Sequence, residues 1–317
     1  MTGDAPEQAP FFPPTDYGNP DPTPAWMQVD WRQHLHRVEL PGATVNYAEI
    51  GSGEPVICVH GLAGCWRNWL ENLPHFGERY RAIALDLPGF GDSPMPEWEI
   101  SMAAYGRMIQ DFCDALGIDR VAALIGNSMG GFVATEAVNE RPERFERLVL
   151  VSAAGISLAE AKGRRFGAGA QTVKAAAPYL ASAAMLTRPL GRRLAFGWVM
   201  GQPEKLRPEL LSEQLRPGLD SDGLVDSMVS MVGYDTRPRL REIAIPTLIV
   251  WGLNDHVVPV EAALGYHRLI PRSRLEIFER TGHVPQLERP RRFNALLDEF
   301  LAAEPEQAVD RADATVA

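Results

Sequence analysis

The chain has 317 residues, 45% hydrophobic and 23% charged, and its 31 basic against 41 acidic side chains leave a net charge of −10. That balance suits a globular protein with a sizeable core and excludes a chain disordered throughout, a collagen-like repeat and a disulfide-stapled mini-domain. The acidic excess sits at the two ends, in residues 1–30 and from 302 onward, so the body is near neutral and lacks the basic footprint of a nucleic-acid binder.

In chain order, residues 1–30 hold seven of the 26 prolines, which neither a helix ladder nor a central strand absorbs. They read as a mobile leader, with Phe11, Phe12, Tyr17 and Trp26 as the side chains able to dock. No basic start followed by an apolar run marks a signal peptide, and no stretch approaches the roughly 20 apolar residues of a membrane span, so the expected location is cytoplasmic. HRVEL and ATVNYAEI, around Pro41-Gly42, form an expected antiparallel hairpin at a sheet edge. Short apolar runs then recur at 55–60, 80–86, 121–127, 147–152, 246–252 and 273–278, each reading as a strand covered on both faces. Between them Met102, Tyr105, Ile109, Phe112, Cys113 and Leu116 share one helical face behind Ser101 as N-cap, and Phe293, Leu296, Leu297, Phe300 and Leu301 do so near the end. This alternation predicts an α/β fold with a mostly parallel sheet flanked by helices.

From 157 to 235 no strand is legible, only Ala-, Leu- and Arg-rich pieces divided by prolines, and eighty residues are too many for a loop. The expected organisation is a core of 31–156 and 236–302, a helical insertion at 157–235 near the carboxyl edge of the sheet, and a disordered tail at 303–317. Cys58, Cys65 and Cys113 lack metal-type spacing and read as reduced, buried thiols.

Gly126-Asn127-Ser128-Met129-Gly130 lies between a strand and a helical run. A serine on such a turn is held in a strained conformation, and side chains in place of its glycines would collide with neighbouring strand and helix. A hydroxyl needs a base to become a nucleophile, and the base needs an acid to fix its tautomer. Of seven histidines, His283 follows the strand at 273–278 and precedes the last helix, where a loop can aim imidazole into the crevice. His34 and His36 lie near the leader, His75 and His267 in helical stretches, His60 in the loop motif of the first parallel strand, and His256 reads as structural. Asp255 lies on the loop after the strand at 246–252 and is the carboxylate there. Developing negative charge on a substrate oxygen needs two backbone N–H groups, which Leu62 and Met129 are placed to supply.

The joint pattern of HG near the start, DLPGFGDS, GNSMGG, GLNDHVVP and GH resembles the α/β-hydrolase superfamily over residues from about 36 to 301. That resemblance implies Ser128 as nucleophile, His283 as base, Asp255 as orienting acid and residues 157–235 as a helical cap. The serine separates the chain from dehalogenases and epoxide hydrolases, which use aspartate. The first expectation is therefore a serine esterase of the lipase-like branch, acting on carboxylic esters with small-to-medium apolar acyl or aryl groups. GNSMGG also resembles the elbow of meta-cleavage-product hydrolases, which split a carbon–carbon bond in a dienoate; there Trp generally follows the catalytic His, and here Val284 does. A non-catalytic ligand receptor on the same fold is the third reading. No cofactor, metal, nucleic-acid partner or membrane span is expected, and the expected assembly is a monomer or homodimer.

Overall fold

The computed structural model describes residues 16–156, 183–215 and 221–304. Eight strands, β1 (Leu35–Leu40), β2 (Ala43–Ile50), β3 (Pro55–Val59), β4 (Arg81–Leu85), β5 (Ala123–Asn127), β6 (Leu148–Val151), β7 (Thr247–Gly252) and β8 (Ser273–Phe278), form one sheet. Their order is β1-β2-β4-β3-β5-β6-β7-β8. The hairpin β1–β2 and the β2–β4 pair are antiparallel, and every other pair is parallel. Gly42 makes the hairpin turn at φ +68°, a conformation that costs a glycine nothing.

The strands at the centre read as continuous apolar runs because both faces are covered. Successive side chains point to opposite faces. Ile57, Val59, Leu124, Leu150 and Trp251 therefore pack with the helices Met102–Ala115, Met129–Glu140 and Glu261–Leu269. Val56, Cys58, Ile125, Val151 and Val250 pack instead with Trp69, Phe76, Phe293 and Phe300 on the other side. The expected N-cap is in place, Ser101 Oγ accepting the Ala104 N–H at 3.1 Å. The helix Pro290–Ala302 begins on a proline, whose missing N–H has no intrahelical role at that position, and buries Phe293, Leu297 and Phe300.

Between β6 and β7 every described element is helical: Ala183–Leu186, Pro189–Phe196, Pro208–Leu215, Leu224–Met231 and Arg237–Leu240, with a 3-10 turn at Pro203–Lys205. In the helix Pro189–Phe196, Arg192 turns inward and donates to the carbonyls of Leu186 (2.8 Å) and Glu204 (2.7 Å). Lys162, Arg164, Arg165 and Lys174 lie outside the described residues.

Residues 16–30, taken from the sequence as part of a mobile leader, are docked on the body. Tyr17 and Trp26 are buried, and buried Glu71 accepts from Asn19 Nδ2 at 2.7 Å and Trp26 Nε1 at 3.0 Å. Two aromatic rings removed from water, together with charge-assisted bonds, outweigh the ordering of a proline-stiffened segment that has little freedom to lose. Residues 1–15 and 305–317 lie outside the described residues. The three cysteines are free and buried, and burial raises each thiol, Cys65 to about 12 and Cys113 to about 11. No helix among the described residues is long and apolar enough to cross a membrane.

Candidate active site

Ser128, Asp255, His283 and Leu62 all follow the carboxyl ends of parallel strands, where such sheets open a crevice, and Met129 starts the helix after Ser128. β5 runs into Ser128, which adopts φ 54° and ψ −117° as the N-cap of the helix Met129–Glu140. Two features hold it in that conformation. Its N–H donates to Val151 O (2.9 Å), and its carbonyl accepts from Gly131 and Ala154 (both 3.0 Å). The flanking glycines are steric requirements: a Cβ at Gly126 would stand 2.2 Å from Gly130 O, and one at Gly130 would stand 2.3 Å from Val59 O. Ser128 is half-buried while residues 123–127 and 129–130 are buried, so the hydroxyl position is the part of the elbow open to a ligand.

Asp255 and His283 meet. Asp255 Oδ2 lies 2.7 Å from His283 Nδ1, with both side chains buried. The other carboxylate oxygen accepts the N–H groups of Val257 (2.8 Å) and Val258 (2.9 Å), which fixes the acid's rotamer. Neighbouring Asn254 is exposed and contributes its backbone N–H, to Thr281 O at 2.9 Å, which ties the acid loop to the histidine loop. His283 is joined to the elbow as well, since Asn127 Nδ2 donates to the His283 carbonyl at 3.2 Å. His256 is exposed to solvent.

The loop after β3 approaches the serine closely. A Cβ at Gly61 would lie 3.1 Å from Ser128 Cβ, so a side chain there would crowd the elbow. The Met129 N–H, first in its helix, has no carbonyl one turn back to bond, and the positive end of the helix is aimed at the same place. The Leu62 N–H has no backbone acceptor among the described residues.

Three side chains that the sequence pattern did not single out as functional shape this arrangement. His60 accepts the Leu87 N–H at Nε2 (2.9 Å), which leaves its proton on Nδ1 to donate to Gly61 O (2.7 Å). Burial lowers its pKa to about 4, so it is a neutral brace for the Gly61-Leu62 loop. Asp86, lifted to about 6 by burial, gathers the N–H groups of Trp66 and Asp92 and the Asn46 amide. Glu288 is buried among backbone amides beside His283. Sequence offered only a strand-end histidine, a DxPG loop and a glutamate five residues after His283; their partners lie too far along the chain to be seen by spacing.

A groove of about 620 Å³ lined by Trp26, Trp31, Trp66, Leu70, Leu186 and Pro208 includes none of the candidate residues. It is set apart from the crevice by its lining, and the chemistry points to the strand-end loops instead. Among the described residues no group of three or more His, Cys, Asp or Glu side chains is placed to hold a metal ion.

A family profile described as the alpha/beta hydrolase fold matches residues 54–290. The 2-hydroxy-6-oxo-6-phenylhexa-2,4-dienoate hydrolase of Comamonas testosteroni is 31% identical over 282 residues, 83% of this chain and 93% of that one. Among solved structures, a meta-cleavage product hydrolase from Pseudomonas fluorescens IP01 is similar at TM-score 0.67 and 28% identity, covering 83% of this chain and 96% of its own. A membrane phospholipase A described as a bacterial virulence factor is similar at TM-score 0.66 and 27% identity, covering 85% and 87%.

Proposed function

The chain belongs to the α/β-hydrolase fold family and is a hydrolase, and on that premise we propose that it cleaves carboxylic esters of small-to-medium apolar acyl or aryl groups through an acyl-enzyme on Ser128. The observation that carries this reading is the buried 2.7 Å bond between Asp255 and His283, joined through Asn127 to a serine in a strained elbow. A carboxylate on Nδ1 leaves Nε2 as the basic nitrogen, which is the form that accepts a hydroxyl proton. The similarity to a phospholipase A, an ester-cleaving class of enzyme, supports the same bond type.

In this mechanism His283 Nε2 takes the Ser128 proton as Oγ bonds to the substrate carbonyl carbon, and the carbonyl electron pair moves to oxygen. The N–H groups of Leu62 and Met129 face that oxyanion. Collapse expels the alcohol oxygen, which takes the proton from His283, and leaves the acyl group on Oγ. Water then gives a proton to His283, attacks the acyl carbon and releases the acid, with Oγ recovering its proton. Asp255 holds the ring and stabilises the imidazolium of both half-reactions. Residues 157–235 act in this reading as a cap over the strand ends, on a core of 31–156 and 236–302.

A second reading is hydrolysis of a carbon–carbon bond in a ring-fission dienoate, supported by the similarity to the Comamonas testosteroni and Pseudomonas fluorescens enzymes. Val284 after His283, in place of the Trp of the enzymes it resembles, weighs against it. Turnover of a p-nitrophenyl ester series beside a 2-hydroxy-6-oxo-dienoate separates the two. Ester turnover that dominates and disappears in Ser128→Ala supports the first; efficient turnover of the dienoate with negligible esterase activity overturns it.

A further inference from the structure

Glu288 and Tyr17 form a buried junction that holds the loop of the candidate base through the residues on either side of it. The Glu288 carboxylate is fully buried and accepts the N–H of Gly282 (2.9 Å to each oxygen) and of Val284 (3.3 Å), the residues on either side of His283. It also accepts the N–H of Gly201 at 2.8 Å, from the segment that links the helix Pro189–Phe196 to the turn at Pro203–Lys205. The remaining N–H of the loop, that of His283 itself, goes to Val199 O at 2.6 Å on the same segment. Three successive amides of the histidine loop thus depend on one carboxylate and one carbonyl.

The two backbones are pressed together because they lack side chains where they cross. A Cβ at Gly282 would stand 2.4 Å from Val199 O, and one at Gly201 would stand 2.7 Å from Arg280 O. Burial raises the pKa of the Glu288 carboxylate, and the N–H and O–H donors that converge on it act in the opposite direction by favouring its charged form.

The last donor to this carboxylate comes from the leader. Tyr17 OH donates to Glu288 Oε2 and accepts the Gln202 N–H at 2.8 Å. Gly18, turning at φ +74°, adds a backbone bond from its N–H to Glu288 O at 2.7 Å. Asp16 adds an ion pair beside the junction, 3.9 Å from Arg289 Nε, whereas the side-chain bonds of Trp26 and Asn19 end on Glu71.

We propose that Tyr17 is a positioning residue for hydrolysis: through Glu288 it fixes the loop that aims His283 and locks that loop to the 199–202 segment of the insertion. This rests on the reading of Ser128 and His283 as nucleophile and base. Removing the hydroxyl leaves Glu288 one donor short and the Gln202 N–H without its acceptor, so the loop gains freedom at the residue whose ring must meet Ser128. A misaligned base slows the chemical step and leaves ground-state binding alone.

The test is Tyr17→Phe in the full chain, which keeps the buried ring. Its readouts are kcat and KM on a short p-nitrophenyl ester, the rate of Ser128 labelling by a fluorophosphonate, and the thermal midpoint. A fall in kcat and labelling rate of about tenfold is expected, a size set by the misplacement of one catalytic group, with KM within about twofold. Trp26→Phe, which removes the Glu71 bond of the same leader, is expected to keep wild-type kcat and labelling. Glu288→Gln is expected to be at least as slow as Tyr17→Phe, and the double variant no slower than Glu288→Gln alone, because both act through one junction. Wild-type labelling of Tyr17→Phe, equal losses in Trp26→Phe, or additive losses in the double variant would each overturn the coupling. A wild-type protein that takes up no label would instead remove the serine reading, and the coupling with it.

Discussion

Ser128 holds a backbone conformation that costs a non-glycine residue about 1–3 kcal/mol, and the surrounding hydrogen bonds, rather than its hydroxyl, keep it there. Ser128→Ala is accordingly expected to fold with an unchanged thermal midpoint while turnover drops about 10⁴-fold or more. Near-normal turnover of a short ester by that variant would remove the nucleophile assignment. Asp255→Asn keeps the shape but reverses the proton preference at His283 Nδ1, and a loss approaching the same size is expected in kcat. Two buried groups near the loop of Leu62 also predict a pH signature. His60 has its pKa lowered from 6.5 to about 4, so it contributes stability above pH 6.5 that is lost as pH falls through 4, about 3 kcal/mol at 1.36 kcal/mol per unit. Asp86 is raised from 3.8 to about 6 and works in the opposite direction, its contribution being complete below 3.8 and lost as pH rises through 6, again about 3 kcal/mol. The two offset in the wild type. In His60→Asn only the Asp86 contribution remains, so the stability gap between variant and wild type should narrow by up to about 3 kcal/mol from pH 7 to pH 4. Urea midpoints at both pH values read this, and a constant gap would refute it.

At the scale of elements, the elbow works because β5 and the helix Met129–Glu140 meet with almost no space between them. Gly130→Ala places a methyl 2.3 Å from Val59 O and 2.6 Å from His60 O, both backbone atoms of β3 and its loop. Neither can retreat without moving the Gly61-Leu62 loop. A loss of about 3 kcal/mol in stability, the upper range for overpacking, is expected together with loss of ester turnover. Gly117, just past the helix Met102–Ala115, is the comparison: it sits at φ +64° with nothing within 4 Å of an added Cβ. Gly117→Ala meets only backbone strain and is expected to cost about 1 kcal/mol with activity intact. Thermal midpoints and turnover of the two variants decide whether close approach, rather than glycine's backbone freedom, is what the elbow requires.

For the whole molecule, the proposed esterase reading makes the helical insertion between β6 and β7 the surface that chooses a substrate. Half-buried Met228, on the helix Leu224–Met231, packs against the sheet-side core cluster that includes Phe90 and Tyr105. Met228→Ala is expected to shift chain-length preference among esters by roughly tenfold, the size of a methylene or two in an apolar pocket, and to change acetate turnover far less. Equal scaling of every ester would defeat that expectation. Long-chain triglyceride emulsions should be poor substrates on this reading, since a crevice covered by the proposed cap would suit a small-to-medium apolar group. The same catalytic scheme uses side chains and backbone N–H groups throughout, so turnover is expected to survive EDTA; a loss restored by a divalent ion would contradict it.

Strands, helix faces and the elbow were legible because each is a local pattern: apolar runs of strand length, a 3.6-residue stripe behind Ser101, and glycines spaced around Ser128. Position just past recognisable strand runs then marked Asp255 and His283, and family resemblance supplied their expected roles as acid and base. Tertiary structure alone decided the rest. The docking of residues 16–30 was illegible because proline content reports how a segment cannot be regular, and says nothing of a partner 271 positions away in sequence such as Glu288 for Tyr17. His60 as a neutral brace, Asp86 as a collector of backbone donors and Glu288 behind the histidine loop owe their states to burial. Burial is set by how the layers close over one another, and no window of neighbouring residues contains that information.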